Sequence, residues 1–181
     1  MLARSLPEWM IHAFRVPYPT SRWERTLAHD LEVDVVKGSL SGVELGDDVE
    51  RLSFLGPADS AGEACAGVFG YNALGLALLS DGGKLGSITL LLTGSPGGKH
   101  DAFAGIFRVR GHRHVLPPET TEAEIVTLFG EPTERAEQKD DETGEVWERS
   151  LRYVNENVLC EVVFDPEGAL IEINLEPAGD E

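Results

Sequence analysis

Apolar positions recur along the chain with two periods. Leu31, Val33 and Val35 alternate with Glu32 and Asp34, which predicts a half-buried strand. Further strand-like runs fall near 65–71, 74–79 and 85–92, with Ser80-Asp81-Gly82-Gly83 as the turn between the last two. Other segments carry helical spacing. A short helix over 6–14, behind Pro7, would present Trp9, Met10 and Phe14. Ser21 and Glu24 fit a capping box and predict a helix over 22–29. Val49, Leu52 and Leu55 share one face of a helix over 47–55, opened by Asp47 and stopped by Gly56-Pro57.

Thr93-Gly94-Ser95-Pro96-Gly97-Gly98-Lys99 reads as a linker, and beyond it the pattern restarts. Phe103, Ile106-Phe107 and Val109 predict a strand. Thr121 and Glu124 form a second capping box. The helix over 122–129 carries Ile125, Leu128 and Phe129, and Gly130-Glu131-Pro132 stops it. Strands follow near 146–154, 157–164 and 169–175, the last two separated by Asp165-Pro166-Glu167-Gly168. Thr133 to Glu145 reads as an extended loop.

The two stretches match in order. Lys37-Gly38 corresponds to Arg110-Gly111, and Leu55-Gly56-Pro57 to Phe129-Gly130-Glu131-Pro132. Tyr71 corresponds to Tyr153. Gly83-x-Leu85-x-x-Ile88-x-Leu90 corresponds to Gly168-x-Leu170-x-x-Ile173-x-Leu175, all 85 residues apart. The offset grows only between elements, where insertions belong. Coincidence among glycine-punctuated β segments is the competing reading. The repeat predicts an α+β fold: two tandem helix-plus-antiparallel-strand units forming a two-layer structure with a broad antiparallel sheet. The expected division is an N-terminal helical segment (1–30), a first unit (31–92), a linker (93–101), a second unit (102–176) and an acidic tail (177–181).

Gly46-Asp47-Asp48-Val49-x-x-Leu52-x-x-Leu55-Gly56-Pro57 resembles the helix, Leu-Gly-x-Pro, strand motif of the outer-membrane assembly lipoprotein family SmpA/OmlA. Residues 121–132 and 151–175 repeat it. Tandem use of such a unit is similar to the β-lactamase inhibitor protein family, which implies a sheet that binds another protein. The lipoprotein signal and its Cys have no counterpart here, so membrane anchoring does not carry over.

Composition narrows the function classes. The chain has 181 residues, 41% of them apolar, too many for a wholly disordered chain. Lys+Arg total 15 against 32 Asp+Glu, a formal charge of −17. This balance argues against nucleic acid and against an anionic membrane face, which both need clustered cations. Residues 119–181 hold 19 acidic and 4 basic side chains, while 1–118 are nearly neutral. The acidic third is either a solubilising surface or one that steers a basic partner. Cys65 and Cys160 sit in strand-like runs and read as buried thiols. No apolar run suits a signal peptide or a membrane span, so the expected location is cytoplasmic.

Candidate chemistry is sparse. On one extended strand His112 and His114 would share a face with Arg108 and Arg110. Two imidazoles can begin a metal site, but neighbouring cations disfavour one. A basic patch for an anion or partner, or a structural role, are the other readings. No Gly-x-Ser-x-Gly elbow occurs, and Lys99 lacks P-loop spacing. Asp140, Asp141 and Glu142 form a charge run in the expected loop. Alternation puts Trp147, Arg149, Leu151 and Tyr153 on one face, either as core or as an exposed partner-binding patch.

The sequence therefore predicts a non-enzymatic protein-binding module, inhibitor- or immunity-like, with no cofactor and a basic protein partner. Its expected binding residues are Trp147, Arg149, Tyr153, Asp140, Asp141, Glu142, His112 and His114. A small-ligand protein or enzyme with a site near His112 and His114 is the alternative. A homodimer through a buried sheet face is the third expectation.

Overall fold

The computed structural model describes residues 19–26, 30–61, 67–95, 98–140 and 143–179. The expected helix over 6–14, Cys65, Pro96-Gly97, Asp141, Glu142 and the last two residues lie outside them. Within the described residues the chain forms thirteen strands: β1 (Glu32–Asp34), β2 (Ser39–Leu40), β3 (Val43–Glu44), β4 (Ser60–Ala61), β5 (Val68–Tyr71), β6 (Leu76–Asp81), β7 (Lys84–Leu91), β8 (Ile106–Val109), β9 (His112–His114), β10 (Glu134–Lys139), β11 (Val146–Asn155), β12 (Val158–Phe164) and β13 (Leu170–Pro177). One α-helix, α1 (Glu122–Phe129), is present among them.

The expected α+β architecture of two tandem helix-plus-strand units is overturned. The protein is mostly β, arranged as two sheets. Val49–Leu55, expected as a helix, is a run of three-ten turns that plugs Val49, Leu52 and Leu55 into the core. Nine residues between Gly46 and Gly56 are too few to sustain an α-helix by propensity, so packing decides. The 22–29 expectation fails similarly: three-ten turns cover Pro19–Arg22, residues 23–26 are irregular and 27–29 lie outside the described residues.

The larger sheet has the order β10-β11-β12-β13-β7-β6-β5-β4 and is antiparallel throughout. It consists of two meanders, β4 to β7 and β10 to β13, that meet where β7 pairs with β13. At that junction Ile88 faces Leu175 and Leu90 faces Ile173. The smaller sheet has the order β3-β2-β1-β8-β9, with β1 and β8 parallel.

Both sheets turn one face to a common core. Leu151, Tyr153, Cys160, Val162, Ile173, Leu175, Ile88, Leu90, Leu76 and Tyr71 come from the larger sheet. Val33, Leu40, Phe107 and Val109 come from the smaller, and Ile125 and Phe129 from α1. Strands from either side of residues 93–101 thus build both sheets. That connection is itself anchored: Ser95 Oγ accepts from the amides of Lys99 (2.8 Å) and His100 (3.4 Å), and Asp101 N donates to Asn72 O (2.8 Å).

Local chemistry sets the ends of α1. The Thr121 hydroxyl accepts from Glu124 N (3.3 Å), and Glu124 Oε2 accepts from Thr121 N (2.8 Å), completing the capping box. At the other end Arg110 Nη2 donates to Phe129 O (2.7 Å), a cation on an orphan carbonyl.

Cys160 and Tyr153 face each other across β11 and β12 inside the core. Burial pushes the Cys160 thiol up to about 12, with the nearby Glu161 charge adding to it. Burial likewise pushes the Tyr153 hydroxyl up to about 12, the neighbouring Cys160 contributing next. In the unfolded chain both groups lose their protons at lower pH. Above the ordinary thiol range the unfolded state therefore sheds protons that the native state keeps, and stability falls as pH rises. Urea unfolding should show stability level near neutrality and declining steadily from about pH 9. In a Cys65→Ser chain, a thiol reagent at pH 8 should label Cys160 only after denaturation. Rapid labelling of the native chain would contradict the buried placement.

Candidate protein-binding face

Residues directly opposite across antiparallel strands share a face. Because Leu151, Val162, Ile173, Leu90, Leu76 and Tyr71 point to the core, their chain neighbours point away from it. These neighbours form rows across the larger sheet. One row runs Glu134, Arg152, Glu161, Asn174, Thr89, Ala77, Gly70. The next runs Ala136, Ser150, Val163, Glu172, Leu91. The helix, the three-ten turns and the smaller sheet all pack on the opposite side, through Phe129, Leu52, Leu55 and Phe107. On this second face Ser150 and Val163 are buried, and the other members of the two rows are exposed or half-buried. Eight strands at about 4.8 Å spacing make it about 34 Å wide.

The face has two chemically different halves. The β4–β7 half presents Val68, Gly70, Ala77, Leu79, Thr89 and Leu91, apolar or small. The β10–β13 half is acidic and hydrogen-bonded. Arg152 Nε donates to Glu161 Oε1 (2.8 Å) and its Nη1 to Glu134 Oε2 (3.3 Å). Ser150 Oγ donates to Glu161 Oε1 (2.9 Å), Asn174 Nδ2 to Glu172 Oε1 (2.6 Å) and Gln138 Nε2 to Glu148 Oε1 (3.0 Å). Of the four carboxylates, Glu134 and Glu161 share the cation Arg152, while Glu148 and Glu172 accept from the neutral amides of Gln138 and Asn174. Partial burial raises the Glu148 carboxyl above its ordinary range, and the charges of Glu161 and Glu172 push it the same way. Val163, 5% exposed yet outside the core cluster, lies among them.

The β10–β11 ribbon continues past the core. A bulge between Gln138 and Lys139 leaves Trp147 as the extra residue of β11, and it stands 52% exposed. Arg149 lies nearby, 3.7 Å from Glu137, which also holds Lys139 at 2.9 Å. Asp140 closes the hairpin turn, its Oδ1 accepting from Thr143 N (2.7 Å).

Only part of the expected set is brought together. Trp147, Arg149 and Asp140 share the ribbon. Tyr153 does not face outward with them: it is 5% exposed and its ring packs on Phe129, centroids 5.3 Å apart. Its hydroxyl finds no hydrogen-bond partner among the described residues. Asp141 and Glu142 lie outside the described residues. His112 and His114 belong to the smaller sheet, on its edge strand.

The expected face of Arg108, Arg110, His112 and His114 is also corrected. Arg110 (φ 50°) and Gly111 (φ 85°) form the tight turn between β8 and β9, so the run is a hairpin and not one strand. Phe107 faces His114 and Val109 faces His112, whereas Arg108 faces Arg113 on the other side. Both arginines there are engaged by Glu32, at 2.6 and 3.1 Å. Among the described residues no group of three or more His, Cys, Asp or Glu is placed to hold a metal ion. No helix among them is long and apolar enough to cross a membrane. A shallow groove of about 420 Å³ lies beside α1, lined by Val115, Leu116, Pro117, Glu119, Glu124 and Leu128 among others.

Glu148, Ser150, Arg152, Glu161, Glu172, Thr89 and Leu91 were not singled out from the sequence. Their signal is the polar phase of the same alternation that marks the core, which becomes a patch only once strand order is known.

No family model and no curated protein matches the chain. A crystal structure of a DUF4309 family protein, YjgB, from Bacillus subtilis resembles it with a TM-score of 0.44 at 11% identity. The likeness covers 76% of this chain and 84% of that one. At that level it carries neither fold nor function across.

Proposed function

We propose that the protein is a non-enzymatic protein-binding module whose open eight-stranded face takes a partner with a basic, partly apolar surface. The observation that carries this reading is the division of that face into an apolar half and an acidic half. A face about 34 Å wide, whose central strands β12, β13 and β7 are seven or eight residues long and whose β4 edge is only two, offers area approaching that needed on one side of a standard interface, about 800 Å². The apolar half would supply burial, and the surplus carboxylates would supply steering and selection against acidic proteins. An inhibitor- or immunity-like role is one form that this proposal takes. So does a cytoplasmic setting, which suits the buried free thiol of Cys160.

The test is affinity capture from the native host with the parent chain and with Leu91→Arg. Leu91 is half-buried on the outward face, so a cation there should be tolerated by the fold. The expected result is a stoichiometric basic partner bound by the parent and weakened about tenfold or more by Leu91→Arg. Equal capture by both chains, or only chaperones and ribosomal background, would sink the reading.

A further inference from the structure

The free edge of β10 is self-complementary, and we infer that two copies of the chain join there, β10 against β10, antiparallel about a twofold axis at Ala136. The inference is independent of the partner proposed above and leaves the open face uncovered. β10 is hydrogen-bonded through β11 alone and is the terminal strand of the described sheet. Five of its six residues are exposed, and only Ala136 is half-buried. Its outer backbone groups therefore face solvent, a template for an added strand.

Charge and register together select a second copy. β10 carries two acidic and two basic side chains, Glu134 and Glu137 against Arg135 and Lys139, so the strand is neutral in a chain of formal charge −17. Its pairing with β11 puts Arg135 and Glu137 on the core side of the ribbon, and Glu134, Ala136 and Gln138 on the open side. A twofold axis perpendicular to the sheet keeps each side with its like. With the axis at Ala136, Arg135 of each copy stands opposite Glu137 of the other, and Glu134 of each opposite Gln138 of the other. Both contacts extend rows already present within the chain. On the core side the pair Glu122–Arg135 meets Glu137–Arg149, which alternates in sign throughout. On the open side the pair Arg152–Glu134 meets the side-chain amide of Gln138, whose Nδ-type counterpart on the sheet, Asn174, serves Glu172 in the same way.

Neighbouring registers are disfavoured. A slip of two residues one way sets Arg135 against Arg135. The same slip the other way sets Glu137 against Glu137 and Arg135 against Lys139. Like charges directly opposite oppose pairing. A slip of one residue sets core-side residues against open-side ones. The charges on this edge thus admit one alignment and reject those beside it.

The deciding experiment uses the full chain carrying Cys65→Ser, in which the buried Cys160 is the remaining native thiol. Directly opposite residues have Cα atoms about 4.5–5.5 Å apart, within disulfide range. Ala136→Cys should therefore link two copies under mild oxidation. Glu134→Cys and Gln138→Cys should each stay unlinked alone, because their own counterparts lie about 14 Å away along the strand. Mixed in equal amounts, these two should form the crossed dimer.

Sedimentation equilibrium of the parent chain should show monomer and dimer exchanging at about 10–100 µM. Arg135→Glu should weaken the dimer about tenfold, and adding Glu137→Arg should restore it, because the swap rebuilds both cross-copy pairs. Leu91→Arg, on the open face, should leave the dimer unaltered, so failure of the face reading and failure of the edge inference give different results. A strict monomer at about 500 µM would overturn the inference. So would no linkage through Ala136→Cys, or equal linkage of all three single-cysteine variants.

Discussion

Phe107→Ala is expected to destabilise the protein by about 3–5 kcal/mol in urea unfolding. Phe107 is fully buried on β8, between Val33 of the parallel neighbour and His114 of the hairpin partner. Its ring meets Phe103 edge-on, centroids 5.5 Å apart at 72°. Truncation removes a large apolar surface and also the aromatic pair, at the point where the smaller sheet faces the larger. A domain of this size has about 5–15 kcal/mol in total, so the variant should lie near the edge of folding. A loss below about 1.5 kcal/mol would mean that the site collapses freely, and the common core described above would then be wrong.

Gly75→Val is expected to cost about 3 kcal/mol or more, from two separable causes. Gly75 sits at φ 59° in the left-handed region, which costs a residue with Cβ about 1–2 kcal/mol. Its Cβ would also stand 2.3 Å from Phe103 N and 2.7 Å from Asp101 O. Those are backbone atoms, and they are fixed by Asp101 N donating to Asn72 O (2.8 Å) and Phe103 N to Leu91 O (2.7 Å). Gly82→Ala is the control. Gly82 has φ 55° but nothing within 4 Å of the added carbon, so only the backbone penalty applies. If the two variants unfold at the same urea concentration, the close packing of residues 101–103 on Gly75 is refuted.

Much of the local structure was legible because it is written locally. Thr121 and Glu124 announce α1, and its bounds at Glu122 and Phe129 agree with the pattern of Ile125 and Phe129. The strands β7, β11, β12 and β13 appear within a residue or two of the alternating runs. β10 falls in the stretch expected as a loop, because both of its faces meet water and it carries no apolar period. β2 and β3 were hidden in glycine punctuation, being two residues each. Pairing was the larger loss. The parallel contact of β1 with β8 joins residues more than seventy apart, and no spacing rule connects Glu32 with Ile106.

The candidate site suffered for the same reason. Alternation puts Trp147, Arg149 and Tyr153 on one face, but the bulge that makes Trp147 an extra residue interrupts that alternation. The strand also runs off the end of the core, so one face is solvent at Trp147 and interior at Tyr153. The histidine pair failed on one turn, Arg110-Gly111, which folds the run back on itself.

The placement of β13 has a consequence for the order in which the molecule can be made. A ribosome delivers β4 to β7 and β10 to β12 before Leu170 emerges, yet β13 is the strand between the two groups. Until then Ile88 and Leu90 on one side, and Cys160 and Val162 on the other, border open edges. The nascent chain therefore carries two incomplete half-sheets with apolar borders, and β13, the last of the described strands, turns them into one. Deleting a terminal strand usually trims a sheet at its margin. Here, loss of residues 170–177 would cut it through the middle.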